Sequence, residues 1–109
     1  MIRAELLKRG ETIIGFTLEG HAGYDAAGKD VVCAAVSMLG INTVNAVEQF
    51  TEDLFSAESE EKKGRLSFRF LGDEISEKGR VLLDALALGL KGVQSEYGEK
   101  YLSMSIKEE

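Results

Sequence analysis

The hydrophobic pattern of this chain switches period twice, from two residues to about 3.6 and back, and this alternation constrains the fold more than any composition figure. From Ile2 to Lys8 apolar and polar residues largely alternate, Arg9-Gly10-Glu11 makes a turn, and Thr12 to Glu19 is rich in β-branched and aromatic residues. Together they predict a hairpin. Gly20 to Asp30 follows neither period and holds Gly20, Gly23 and Gly28, which predicts a loop. Asp30 is a favoured N-cap, and Val32, Val36, Leu39, Ala46 or Val47 and Phe50 recur at helical spacing, predicting a long, mostly buried helix that ends near Glu52. Leu54 to Glu58 and Arg65 to Leu71 predict a second hairpin across the charged turn Ser59 to Gly64. Ser76 caps a second helix with Leu82, Leu83, Leu86, Leu90, Val93 and Tyr97 on one face, Gly98 ends it, and Lys100 to Lys107 reads as a last strand. The order ββαββαβ predicts an α+β fold in two layers, two helices packed on a mixed or antiparallel sheet.

At 109 residues the chain suits one domain, residues 1–109, with one core and one shallow site. The longest apolar run, Val31 to Ile41, is broken by Ser37 and Gly40, and the first ten residues mix charge with apolar side chains, so neither a membrane span nor a secretion signal is expected. A single cysteine excludes an intrachain disulfide and points to a reducing, cytoplasmic setting. With 13 basic and 19 acidic residues the net charge is −6, which disfavours nucleic-acid binding and permits a basic peptide partner.

The chemistry available is narrow: one imidazole, His21, at the start of the glycine loop, and one thiol, Cys33, just inside the helix after it. At a helix N-terminus the free N–H groups and dipole favour a thiolate, so the Cys33 pKa is expected to fall, and the same N–H groups can hold an oxyanion. The loop glycines let His21 fold back as general base and then acid, with Asp30 or Asp25 available to orient the ring. Against this stands a buried, inert cysteine beside Ala34-Ala35-Val36. Ser37, one turn after Cys33, either faces substrate or bonds back to its own helix, the second being favoured. Phe50, Phe55, Phe68 and Phe70 read as core, with Phe70 and Leu71 alternatively lining a groove. The stretch Gly23 to Asp30 has the glycine and lysine spacing of a phosphate loop but ends in Asp where Ser or Thr would bind magnesium, so nucleotide binding is not expected. Nor is a metal site, because structural zinc needs four ligands, mostly Cys or His.

Gly20-His21-Ala22-Gly23-Tyr24-Asp25, followed by Gly28-Lys29-Asp30-Val31-Val32-Cys33-Ala34-Ala35-Val36-Ser37, resembles the signature of the bacterial ribosomal-processing cysteine protease family. The resemblance implies a protease that removes the N-terminal extension of a large-subunit ribosomal protein during ribosome assembly, cutting after paired aromatic residues. It implies Cys33 as nucleophile, His21 as base, Asp30 and Ser37 in support, and Gly20, Gly23 and Gly28 as hinges of a mobile substrate loop. It also implies a homodimer with no metal or organic cofactor. The alternative is a non-catalytic module that binds a ribosomal protein or assembly intermediate through the same groove, with Cys33 an inert core thiol.

Overall fold

A computed structural model describes residues 1–26 and 29–109. The elements are β1 (Ile2–Arg9), β2 (Thr12–Glu19), α1 (Val31–Phe50), β3 (Phe55–Glu60), β4 (Arg65–Phe70), α2 (Glu77–Tyr97) and β5 (Leu102–Glu108), with one turn of 3-10 helix, Glu61–Lys63, between β3 and β4. The five strands form one mixed sheet in the order β3-β4-β2-β1-β5. Neighbouring strands are antiparallel except β1 and β5, which pair in parallel from Ile2 opposite Leu102 to Lys8 opposite Glu108. The expected fold class, α+β with two helices on a mixed sheet, is the one observed.

The topology explains why both helices share a face. α1 carries the chain from β2 to the parallel strand β3, and α2 carries it from β4 to the parallel strand β5, in the opposite direction across the sheet. β2 and β4 are themselves antiparallel. Two crossovers of the usual right hand, run in opposite directions from antiparallel strands, land on the same side. Side-chain burial agrees: Ile2, Ala4 and Leu6 of β1 are buried while Arg3 and Glu5 between them are exposed. In the first hairpin the register shifts between Leu7 and Lys8, whose partners are Gly15 and Ile13, so Ile14 is an extra residue and both isoleucines are buried.

The core joins Phe16, Leu18, Phe68 and Phe70 of the sheet to Val32, Val36 and Val47 of α1 and Leu83, Leu86 and Leu90 of α2. The Phe68 ring stacks on Phe16 and Phe55 and meets Phe70 edge to face. Gly40 is the close point between α1 and the sheet, where an added Cβ would lie 2.7 Å from Leu18 Cδ1 and 2.9 Å from Leu66 Cδ2.

Two expectations need correction. α1 is not mostly buried: only its inner residues, against the sheet and α2, are covered, whereas Val31, Met38 and Ile41 are about half exposed and Phe50, expected in the core, is 62% exposed. α1 is apolar beyond what its packing needs, and with a mean hydropathy of 1.5 it is long and apolar enough by composition to cross a membrane. In this fold its inner face packs on the sheet instead. Phe70 belongs to the core and not to a groove, while Leu71 is exposed.

Candidate active site

The site forms where the loop after β2 folds back over the first turn of α1. Asp30 has extended backbone, and its Oδ1 accepts from the Val32 and Cys33 N–H groups, each at 3.0 Å, as an N-cap. Its Oδ2 accepts from the Tyr24 N–H at 3.0 Å. One carboxylate thus starts the helix and ties the loop to it. The Ala22 N–H donates to Cys33 Sγ at 3.1 Å, so the loop touches the thiol through its backbone. Ala22 is 4% exposed and anchors this contact in the core.

Gly20 leaves β2 with φ +105, and its N–H donates to the carbonyls of Lys63 and Gly64 in the β3–β4 turn. A Cβ there would lie 2.6 Å from the Met1 carbonyl oxygen, so both the conformation and the space require glycine. His21 follows, exposed, its carbonyl accepting from the Met1 amino group at 2.6 Å. Its ring lies over Gly64, where an added Cβ would come within 3.0 Å of Cε1 and 3.2 Å of Nε2. Gly64, at φ +56, is therefore the platform on which the imidazole rests. Gly23 also has positive φ, at +72, and Gly28 lies outside the described residues.

His21, Cys33 and Ser37 line one cleft of about 310 Å³ between α1 and the β3–β4 turn. Ile2, Leu18, Val36, Ile41 and Leu66 give it an apolar lining, and Glu60, Glu61 and Arg65 give it a charged side. A second opening beyond the thiol, lined by Gly23, Asp25 and Asp30, shares the same three residues. No hydrogen bond joins the imidazole to Sγ among the described residues; the two groups face a common space. Ser37 stands one turn from Cys33, as expected, and is exposed on the cleft wall. The favoured back-bond to its own helix is absent among the described residues, unlike Thr43, whose hydroxyl donates to the Leu39 carbonyl.

The electrostatics depart from expectation in two ways. Burial pushes the Cys33 thiol pKa up, the Ala22 N–H opposes this, and the neighbouring Asp30 carboxylate adds to the rise. The helix N-terminus does not win because Asp30 already occupies its N–H groups. For the same reason the Val32 and Cys33 N–H groups are not free to hold an oxyanion; the backbone donor beside the sulfur is Ala22. Partial burial works against the charged form of Asp30, but the N–H groups of Cys33 and Tyr24 outweigh it and hold the carboxyl below the ordinary carboxylate range. Neither Asp25 nor Asp30 reaches the imidazole through a hydrogen bond among the described residues: Asp25 accepts from the Ala26 N–H, and Asp30 is engaged as above.

The sequence did not point to Ala22 or Gly64. Ala22 acts through its backbone, which leaves no side-chain signal. Gly64 was legible as a turn residue but not as the surface beneath His21.

The structure thus brings a half-buried thiol and an exposed imidazole onto one cleft at a helix N-terminus. The sequence pattern of the family described as Cysteine protease Prp matches residues 1–102. Ribosomal processing cysteine protease Prp of Bacillus subtilis (strain 168) is 28% identical over 101 residues, covering 89% of this chain and 90% of that protein. The protein of the same name from Staphylococcus aureus (strain NCTC 8325 / PS 47) is 26% identical over 82 residues, 75% of this chain and 76% of the relative. The crystal structure of the essential S. aureus protease Prp with a covalently linked product peptide superposes with TM-score 0.90 at 21% identity, over 98% of this chain and all of that one. The structure of SMU.848 from Streptococcus mutans matches with TM-score 0.84 at 30% identity, over all of this chain and 96% of its own. This chain belongs to the Prp family of ribosomal processing cysteine proteases and is a cysteine protease.

Proposed function

We propose that this protease removes the N-terminal extension of a large-subunit ribosomal protein during ribosome assembly, in the cytoplasm, with Cys33 as nucleophile and His21 as general base. The observation that carries the reading is that the chain's one thiol and one imidazole open on a single cleft whose apolar lining suits the aliphatic and aromatic side chains of an extended peptide. Glu60 and Glu61 on its rim, with the net charge of −6, favour lysines flanking the cut.

The raised thiol pKa shapes the mechanism. Burial and the Asp30 carboxylate favour the thiol form of Cys33 in the free enzyme, so the proton leaves as the nucleophile forms. His21, swinging on the loop between Gly20 and Gly23, takes that proton while Sγ bonds to the scissile carbonyl carbon. The imidazolium then protonates the leaving amine as the C–N bond breaks, and water, activated by the neutral ring, hydrolyses the thioester. As the thiol commits to substrate, the Ala22 N–H is released from sulfur and donates to the carbonyl oxygen that becomes negative. Asp30 supports the thiol's helix turn and the loop, and Ser37 contacts substrate on the wall; no metal or organic cofactor takes part.

A homodimer is part of this reading, supported by the half-exposed Val31 and Met38 on α1, away from the cleft lining. The test is a synthetic peptide spanning an encoded extension and its junction, incubated with wild type, Cys33→Ala and His21→Ala. Wild type cuts at one bond after the aromatic pair, and both variants remain folded and inactive. Full cleavage by Cys33→Ala removes the mechanism.

A further inference from the structure

The loop that carries His21 and touches the thiol is held at its far end by aromatic rings from a distant part of the chain. Tyr24 meets the Tyr97 ring edge to face at 5.4 Å between centroids and the Tyr101 ring at 5.0 Å. Tyr97 ends α2 and Tyr101 precedes β5, so neither lies in the stretch that contains His21 and Cys33. Both are half-buried against the core. Their separation is fixed by the Gly98 turn, where the Tyr101 N–H donates to the Gly98 carbonyl, and by β1, whose Ile2 N–H donates to the Tyr101 carbonyl at 2.9 Å. The Lys100 ammonium lies 5.5 Å from the Tyr101 centroid, on a ring already held by its neighbours.

The geometry points to Tyr97 and Tyr101 as positioning residues for catalysis, acting through Tyr24. Resting on the protease reading above, the inference adds where the loop gets its position. Between Gly20 and Asp30 the described backbone is tied to α1 by two contacts, Ala22 N–H to Sγ and Tyr24 N–H to Asp30 Oδ2. The second requires the Tyr24 backbone to stay above the first turn of α1, and the Tyr24 ring is clasped from the side by the two tyrosines; the first lies two residues before it on the same loop. Two positive-φ glycines, Gly20 and Gly23, flank His21 and supply little stiffness of their own. Without the clasp the segment that carries the His21 ring and the Ala22 N–H is held only from its β2 side, by Gly20, Met1 and Gly64, and by the buried Ala22, so its position over the sulfur loosens while the apolar lining that binds the peptide is untouched. The effect therefore falls on turnover and not on substrate affinity.

The experiment compares Tyr24→Ala, Tyr97→Ala, Tyr101→Ala and the Phe variants at positions 97 and 101, by hydrogen exchange and by steady-state cleavage of the extension peptide. The expected result is faster exchange confined to residues 20–26 and a kcat lowered roughly tenfold with KM within about twofold of wild type. Phe restores both, because the contacts are between rings. Tyr24→Ala, which removes no core side chain, gives the same loss without the risk of misfolding at α2, and combining it with Tyr97→Ala adds little more. Unchanged exchange over residues 20–26, an unchanged kcat, a change confined to KM, or Phe variants as impaired as the Ala ones would each overturn the inference. A wild-type protein that never cuts the peptide refutes the substrate reading instead, and exchange in Tyr24→Ala still decides whether the clasp holds the loop.

Discussion

Asp30 stabilises the architecture around Cys33 and at the same time restrains its reactivity. Its carboxylate accepts three backbone N–H groups, which caps α1 and tethers Tyr24, but its charge opposes ionisation of the neighbouring thiol. Asp30→Asn removes the charge while its one acceptor oxygen keeps the cap on Val32 and Cys33, but its amide nitrogen cannot accept from the Tyr24 N–H, so the loop tether goes with the charge. We expect a stability loss of about 0.5–1.5 kcal/mol from the Tyr24 hydrogen bond and an alkylation profile for Cys33 shifted to lower pH, read with iodoacetamide across the thiol range. An unshifted profile would show that burial alone raises the thiol pKa. The pH dependence of stability has a definite sign. Because the folded Asp30 pKa is depressed, its contribution is complete above the ordinary carboxylate value of about 3.9 and is lost only as pH falls through the lower folded value. The stability advantage of wild type over Asp30→Ala should therefore persist at pH 5 and shrink in stronger acid, as followed by thermal melts.

Among the elements, α1 connects packing to the site most directly, because it carries Cys33 at one end and rests on the sheet at Gly40. Gly40→Ala places a methyl group against Leu18 and Leu66, two residues of the cleft lining. We expect a loss of roughly 1–3 kcal/mol from overpacking and a raised KM with kcat little changed, measured by chemical denaturation and peptide kinetics. The elements themselves were legible in sequence because each has a strong local cause. Asp30 caps α1, Ser76 caps α2 by accepting from the Gly79 N–H, and Gly98 ends α2, all as read from residue type and spacing. β3 runs two residues further than expected, to Glu60, because pairing with Arg65 extends the ladder into what reads locally as a charged turn. The outward side of α1 was misread as buried for the opposite reason: apolar residues surround its first turns, and only the sheet's position decides which of them are covered. The closeness of His21 to Cys33 in sequence pointed to a shared site, but the thiol's ionisation could not be inferred without knowing where the Asp30 carboxylate points.

At the scale of the molecule, the half-exposed Val31 and Met38 should be covered in the proposed dimer. Met38→Glu puts a charge there, and sedimentation should show a species of half the wild-type mass; a wild-type protein that sediments as a monomer would discard the dimer. The sheet order carries a further consequence. β1 and β5 lie far apart in sequence, yet they pair in parallel with Ile2 opposite Leu102, and Ile2 also lines the cleft beside His21 and Cys33. The contact that completes this wall spans nearly the full sequence, the kind of long-range closure that delays folding. A copy synthesised only as far as α2 has its thiol and imidazole but lacks the strand that seats Ile2, so proteolytic competence should arrive only once β5 has been made.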